Sequence, residues 1–160
     1  MIVLGVDPGI KATGYGFLDF SKQKVLIQET GTIEPNPKDL FENRINKIHK
    51  ILDALVVQYH PDVMVLEKLF AHQKHPMTSS ILGHVRGVIC LLCAQRGVRL
   101  VEHSPKRIRK ALTGNGNATK LQIKQMVAHS LGVNEQKLTL DASDALALAL
   151  GYIQLNERKI

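Results

Sequence analysis

Four acidic side chains in this 160-residue sequence sit where a chain could place chemistry. Asp7 ends the apolar run Ile2-Val3-Leu4-Gly5-Val6, which suits a strand buried on both faces, and Pro8-Gly9 stops that strand at once. Proline has no donor for a ladder and glycine supplies the freedom of a turn. Glu67 repeats the arrangement after Val63-Met64-Val65-Leu66. Carboxyl ends of strands are where open α/β sheets bind their ligands. Asp141 and Asp144 are three residues apart and so share one face of the first turn of a helix expected over 141–155.

Each acid also has an ordinary reading, as a turn residue or as a cap favoured by the helix dipole. Convergence changes the balance. If the strands ending at Asp7 and Glu67 are neighbours, and the last helix starts at the same sheet edge, four carboxylates meet. Each close pair would repel by roughly 4 kcal/mol at 4 Å and an effective dielectric near 20. A divalent cation resolves that repulsion, and all-oxygen donors select Mg²⁺ or Mn²⁺. Two such ions about 4 Å apart serve in-line phosphodiester displacement.

The elements that must position these groups follow from periodicity. Gly14 to Phe20 and Val25 to Ile33 alternate as strands, and with the first they form an antiparallel meander. Between Lys38 and Tyr59, Phe41, Ile45, Ile48, Leu52 and Leu55 recur at helical spacing. Phe70 to Thr78 reads as a polar loop. Ser79 to Arg96 reads as a second helix with Ile81, Leu82, Val85, Val88, Ile89 and Leu92 on a wide stripe. Arg99 to His103 is a fifth strand. Ser104-Pro105 caps a helix bearing Lys106, Arg107, Arg109 and Lys110 and ending at Thr113-Gly114. Thr119 opens another with capping-box spacing, closed by Gly132. No repeat, low-complexity segment or linker interrupts 1–160, so a single α/β domain is expected.

Lys and Arg number 21 against 14 Asp and Glu, a net charge of +7 that favours an acidic partner, most commonly nucleic acid. The 44% hydrophobic content excludes a disordered chain. No signal segment or uninterrupted apolar span of membrane length is read, so a cytoplasmic protein without membrane attachment is expected. Cys90 and Cys93 have C-x-x-C spacing but lie in an apolar stretch without a second pair; buried small hydrophobes are expected, not a metal or redox site. His72 and His75 are read as loop or nucleic-acid-facing residues.

Taken in order, Gly5-Val6-Asp7-Pro8-Gly9 with Thr13-Gly14-Tyr15-Gly16, then Glu67-Lys68-Leu69-Phe70, His84-Val85-Arg86-Gly87, Gly114-Asn115-Gly116 before Lys120, and Asp141-Ala142-Ser143-Asp144-Ala145-Leu146-Ala147 resemble the RuvC family of Holliday-junction resolvases. The resemblance implies an RNase H-like fold, a five-stranded mixed sheet flanked by helices, working as a homodimer. It implies that Asp7, Glu67, Asp141 and Asp144 bind two Mg²⁺ per subunit, with Mn²⁺ able to substitute. It implies that Phe70 stacks on a base near the crossover and that Lys120, with Arg109, contacts the scissile strand. Lys106, Arg107 and Lys110 are expected to face DNA with Arg109. The implied activity is resolution of four-way junction DNA in recombination and repair by paired symmetrical nicks with 5′-phosphate ends, alongside a RuvA and RuvB branch-migration complex. The stripe of the second helix is the expected dimer surface, against the alternative of an ordinary buried crossover helix.

Other readings share parts of this pattern. An actin or Hsp70 type ATPase has a similar first strand but needs two such domains. An RNase H or transposase-type nuclease would share the carboxylates and cut hybrid or linear duplex. A junction-binding protein whose acids are only caps would cut nothing.

Overall fold

The computed structural model describes residues 1–68 and 76–156. Five strands, β1 (Ile2–Asp7), β2 (Thr13–Ser21), β3 (Lys24–Ile33), β4 (Val63–Glu67) and β5 (Arg99–His103), form one sheet in the order β3-β2-β1-β4-β5. β1, β2 and β3 are antiparallel neighbours, whereas β4 runs parallel to β1 and β5 parallel to β4. The hairpin between β2 and β3 turns through Lys22 and Gln23, both at positive φ. That is the primed-turn geometry whose twist matches antiparallel strands. Asp62 pins the start of the parallel pair, its carboxylate accepting from the Ile2 N–H at 2.6 Å and its own N–H donating to the Ile2 carbonyl at 2.9 Å.

Side chains alternate across the central strands and so feed two cores. Leu4, Val6, Phe17, Met64 and Leu66 pack under α1 (Phe41–Tyr59) and α2 (Pro76–Arg96). Val3, Leu18, Val63 and Val65 pack under α3 (Pro105–Thr113), α4 (Lys120–Leu131) and α5 (Leu140–Asn156). Each such buried side chain contributes about 1.5–3 kcal/mol relative to exposure.

Several boundaries differ from the sequence reading. α1 begins at Phe41, not Lys38, because Leu40 has an extended backbone and offers no side-chain cap. α2 begins at Pro76, so 76–78 belong to the helix and not to the preceding loop. A proline fits there because the first helical N–H has no partner to lose. A single 3₁₀ turn at Glu135–Lys137, capped by the Asn134 side chain, precedes α5 and carries no periodic signal.

α2 buries Val85, Ile89 and Leu92 with Cys93 and half-buries Ile81, Leu82 and Val88, so the stripe expected to form a dimer surface is instead the core-facing side of a crossover helix; Met77, Gly83, Gly87, Cys90, Leu91 and Ala94 remain open. Cys90 is therefore exposed, contrary to expectation: the buried stripe of the helix runs through Ile89, Leu92 and Cys93, and Cys90 falls just beyond its edge. Cys93 is buried against Met64, its thiol 3.4 Å from the Met64 sulfur, and burial pushes its pKa up to about 11. The stretch Met77–Arg96, with mean hydropathy 1.5, is long and apolar enough to cross a membrane by length and composition. Its midpoint, however, carries the buried, ion-paired Arg86.

α5 lies directly on the sheet because glycines and alanines face each other across the contact. A Cβ on Gly5 would stand 1.9 Å from the Ala145 carbonyl oxygen, and one on Gly14 would stand 2.0 Å from that of Asp141. Only glycine permits backbone to approach so closely. Thr139 fixes where the helix starts. Its hydroxyl accepts from the Ala142 N–H at 3.1 Å and lies 2.8 Å from the Thr32 hydroxyl of β3.

Candidate active site

The glycine contacts place the acids. Asp7 is paired across the sheet with Gly14, and Gly14 touches the backbone of Asp141, so the first turn of α5 stands over the end of β1. Val6 is in register with Leu66, which puts Asp7 and Glu67 side by side at the carboxyl ends of adjacent parallel strands. Asp7, Glu67 and Asp144 line one cleft of ≈ 170 Å³ with Arg109, Lys120, Pro105, Ile108, Ile123, Ala147 and Leu148. That volume holds a few waters or hydrated ions, and it is below the roughly 300 Å³ typical of a pocket for an organic cofactor. Asp141, one turn before Asp144, stands outside the lining.

The acids feel one another. Burial pushes the Asp7 carboxyl from 3.8 up to about 7, with further upward pushes from Asp144, Glu67 and Asp141 and a downward pull from Lys120. Glu67 is also raised, by desolvation of its carboxyl and then by Asp144, against the pull of Arg109, Lys120 and Arg86. Lys120 donates to Asp144 Oδ2 at 2.8 Å. That hydrogen bond, helped by the charges of Asp144, Asp7 and Glu67, holds its ammonium above the ordinary lysine range. Such mutual destabilisation marks a place built for positive charge.

The donor set suits a hard cation, since Asp7, Glu67 and Asp144 offer carboxylate oxygens and neither Cys nor His lines the cleft. Among the described residues no three acidic, His or Cys side chains stand as a ready-made ligand cage. The Lys120 ammonium, in contact with Asp144, already supplies part of the neutralising charge.

Supporting residues hold the strand ends. Arg44 of α1 donates to the Ile10 carbonyl at 3.0 Å and ties down the turn after Asp7. Arg86 of α2 donates to the Glu67 carbonyl at 2.6 Å and pairs with Glu102 of β5. The sequence reading assigned neither arginine a role. The available signal was a charged side chain, Arg86, inside an otherwise apolar helical stripe.

Of the basic residues on α3, Arg109 enters the cleft, whereas Lys106, Arg107 and Lys110 are exposed outside its lining. α3 itself is fixed by Ser104, whose hydroxyl accepts from the Arg107 N–H, by Pro105 in its first turn, and by Gly114 in the left-handed conformation at its end. α4 begins with a complete capping box between Thr119 and Gln122, which sets Lys120 at its first position beside the acids. Phe70, His72 and His75 lie outside the described residues.

A meander of three strands, two further parallel strands in the order β3-β2-β1-β4-β5, and acids at the central strand ends define an RNase H-like fold of the resolvase kind. Residues 3–152 match the family described as crossover junction endodeoxyribonuclease RuvC. A protein of that name from Chloroherpeton thalassium is 39% identical over 150 residues, 94% of this chain and 80% of its own. One from Rhodopirellula baltica is 36% identical over 148 residues, covering 92% and 83%. The chain belongs to the RuvC family, a family of metal-dependent nucleases. Two solved structures share the fold. Thermus thermophilus RuvC superposes with a TM-score of 0.87 at 24% identity, covering 98% of this chain and 96% of that one. The same protein in complex with Holliday junction substrate gives 0.88 at 22%, covering 99% and 97%.

Proposed function

We propose that this chain is a Holliday-junction resolvase, a crossover junction endodeoxyribonuclease that cuts four-way DNA by paired symmetrical nicks in recombination and repair. One observation carries the reading: in a chain of the RuvC family, Asp7, Glu67 and Asp144 crowd one small cleft beside Lys120 and Arg109. Asp7, Glu67 and Asp144, with Asp141 joining from the turn before, hold Mg²⁺, two ions per subunit, and Mn²⁺ substitutes. Bound ions of this class supply an activated water and stabilise the departing oxygen of the scissile phosphodiester.

The chain's own groups do the rest. Lys120 leaves Asp144 to meet the phosphate that enters the cleft, and Arg109 neutralises the same strand from the other wall. Lys106, Arg107 and Lys110 follow the flanking backbone as exposed phosphate contacts. Phe70, three residues after Glu67, stacks on a base at the crossover, a contact worth about 1–3 kcal/mol. Water attacks in line, the bond to the 3′ oxygen breaks, and the phosphate stays on the 5′ end.

The working species is a homodimer, because two equivalent strands of a junction call for two identical sites related by two-fold symmetry. The open side of α2, with Met77 and Leu91 exposed and Gly83 and Gly87 bare, supports that face as the dimer surface. Residues 1–160 act as a single nuclease domain in the cytoplasm, handing over from a RuvA and RuvB complex.

Cleavage of a synthetic four-way junction beside linear duplex and RNA-DNA hybrid, with Mg²⁺ and with chelator, tests the proposal. Paired, ligatable nicks confined to the junction and dependent on metal are expected. Cutting of the hybrid instead would move the function to an RNase H activity, and binding without cutting under every metal would leave a junction-binding protein.

A further inference from the structure

Glu67 sits where its strand loses support. The last ladder contact of β4 is the Lys68 N–H donating to the His103 carbonyl at 2.8 Å, and on the other side β1 has already ended at Asp7. The Glu67 carbonyl is taken up by a side chain from another layer. Arg86, only 8% exposed, donates Nη1 to that oxygen at 2.6 Å and Nη2 to Glu102 Oε1. Glu102 is in register with Leu66, next to Glu67, so one guanidinium bridges α2, β4 and β5 at the point where Glu67 leaves the sheet.

A buried arginine is costly to place unless its partners are fixed, and the fork geometry of guanidinium restricts where both can be. We infer that Arg86 is a positioning residue for the metal centre: by holding the Glu67 carbonyl against the Glu102 carboxylate, it sets the direction in which the Glu67 carboxylate projects into the cleft. This rests on the reading of Glu67 as a metal ligand. Arg86 is not among the residues that line the cleft. A purely structural arginine would support α2 and leave cation binding alone, and the two roles are separable.

The test measures Mn²⁺ binding to the DNA-free protein by calorimetry, junction binding in chelator, and the metal dependence of single-turnover cleavage. It compares wild type with Arg86→Met, Arg86→Lys and Glu102→Gln. Arg86→Met is expected to bind junction within twofold of wild type but to lose at least fivefold in Mn²⁺ affinity, with a matching rise in the metal needed for half-maximal cleavage. Arg86→Lys should recover part of that loss, because an ammonium keeps the charge but not both bonds. Glu102→Gln, which leaves the arginine in place with a weakened anchor, should show a smaller loss of the same kind and covers the case of a misfolded Arg86→Met. Mn²⁺ affinities within twofold of wild type in every folded variant, with only the melting temperature lowered, would overturn the inference. A wild type that binds Mn²⁺ but cuts no junction would overturn the resolvase reading and leave the calorimetric comparison standing; one that takes up no Mn²⁺ would overturn both.

Discussion

Asp7 shows most plainly what the site costs the fold. A carboxyl whose pKa is higher folded than unfolded binds more protons when folded, so its contribution to stability falls as pH rises between the two values. For Asp7 those are 3.8 and about 7. The loss begins near pH 4, is nearly complete at pH 7 and amounts to about 4 kcal/mol. Asp7→Asn is therefore predicted to stabilise the chelated protein by about 1–3 kcal/mol at pH 8 and by much less at pH 4, as read by urea unfolding at the two pH values. An unchanged difference between the two pH values would remove Asp7 from the crowded cluster. Lys120→Ala is predicted to slow single-turnover cleavage at saturating Mg²⁺ by roughly 10²-fold or more, of the size found when one transition-state donor is lost, with junction affinity in chelator little changed. That Asp7, Glu67 and Asp144 share one cleft was legible because strand ends and a helix first turn are local facts, whereas Asp141 stands outside that lining. Arg86 and Arg44 were not legible, because their roles depend on which carbonyl lies opposite them after folding.

At the scale of elements, the strands and helices were legible from periodicity, and the boundaries that moved were those set by non-periodic features. Leu40, Thr139 and the 3₁₀ turn are positioned by backbone dihedrals and capping, which a hydrophobic pattern does not encode. The seating of α5 came from the fold, with Gly5 and Gly14 as the receiving surface. Gly14→Ala tests that seating. Its methyl would meet the Asp141 carbonyl at 2.0 Å, so the first turn of α5 must shift away from β1 and carry Asp141 and Asp144 with it. A cost of about 1–3 kcal/mol is expected for the overpacking, with cleavage reduced at least tenfold (about 1.4 kcal/mol) in protein that remains folded by circular dichroism. Wild-type cleavage in that variant would show that helix seating does not set the acids.

On the scale of the whole molecule, the proposed dimer contact lies on the open apolar face of α2, apart from the cleft. Leu91 is 53% exposed on that face, and Leu91→Glu would place a charge there without touching the core. It is predicted to yield monomer by sedimentation at micromolar concentration, to keep its fold, and to lose the pairing of nicks before it loses nicking itself; an unaltered dimer would place the interface elsewhere. The central claim is that the clustered carboxylates cut a four-way junction with metal. Its most direct test is junction binding and single-turnover cleavage by wild type and Asp7→Asn, side by side, in Mg²⁺. Asp7→Asn is predicted to bind as tightly as wild type or tighter and to cut nothing. Cleavage at the wild-type rate, or equal loss of binding and cleavage, would contradict it.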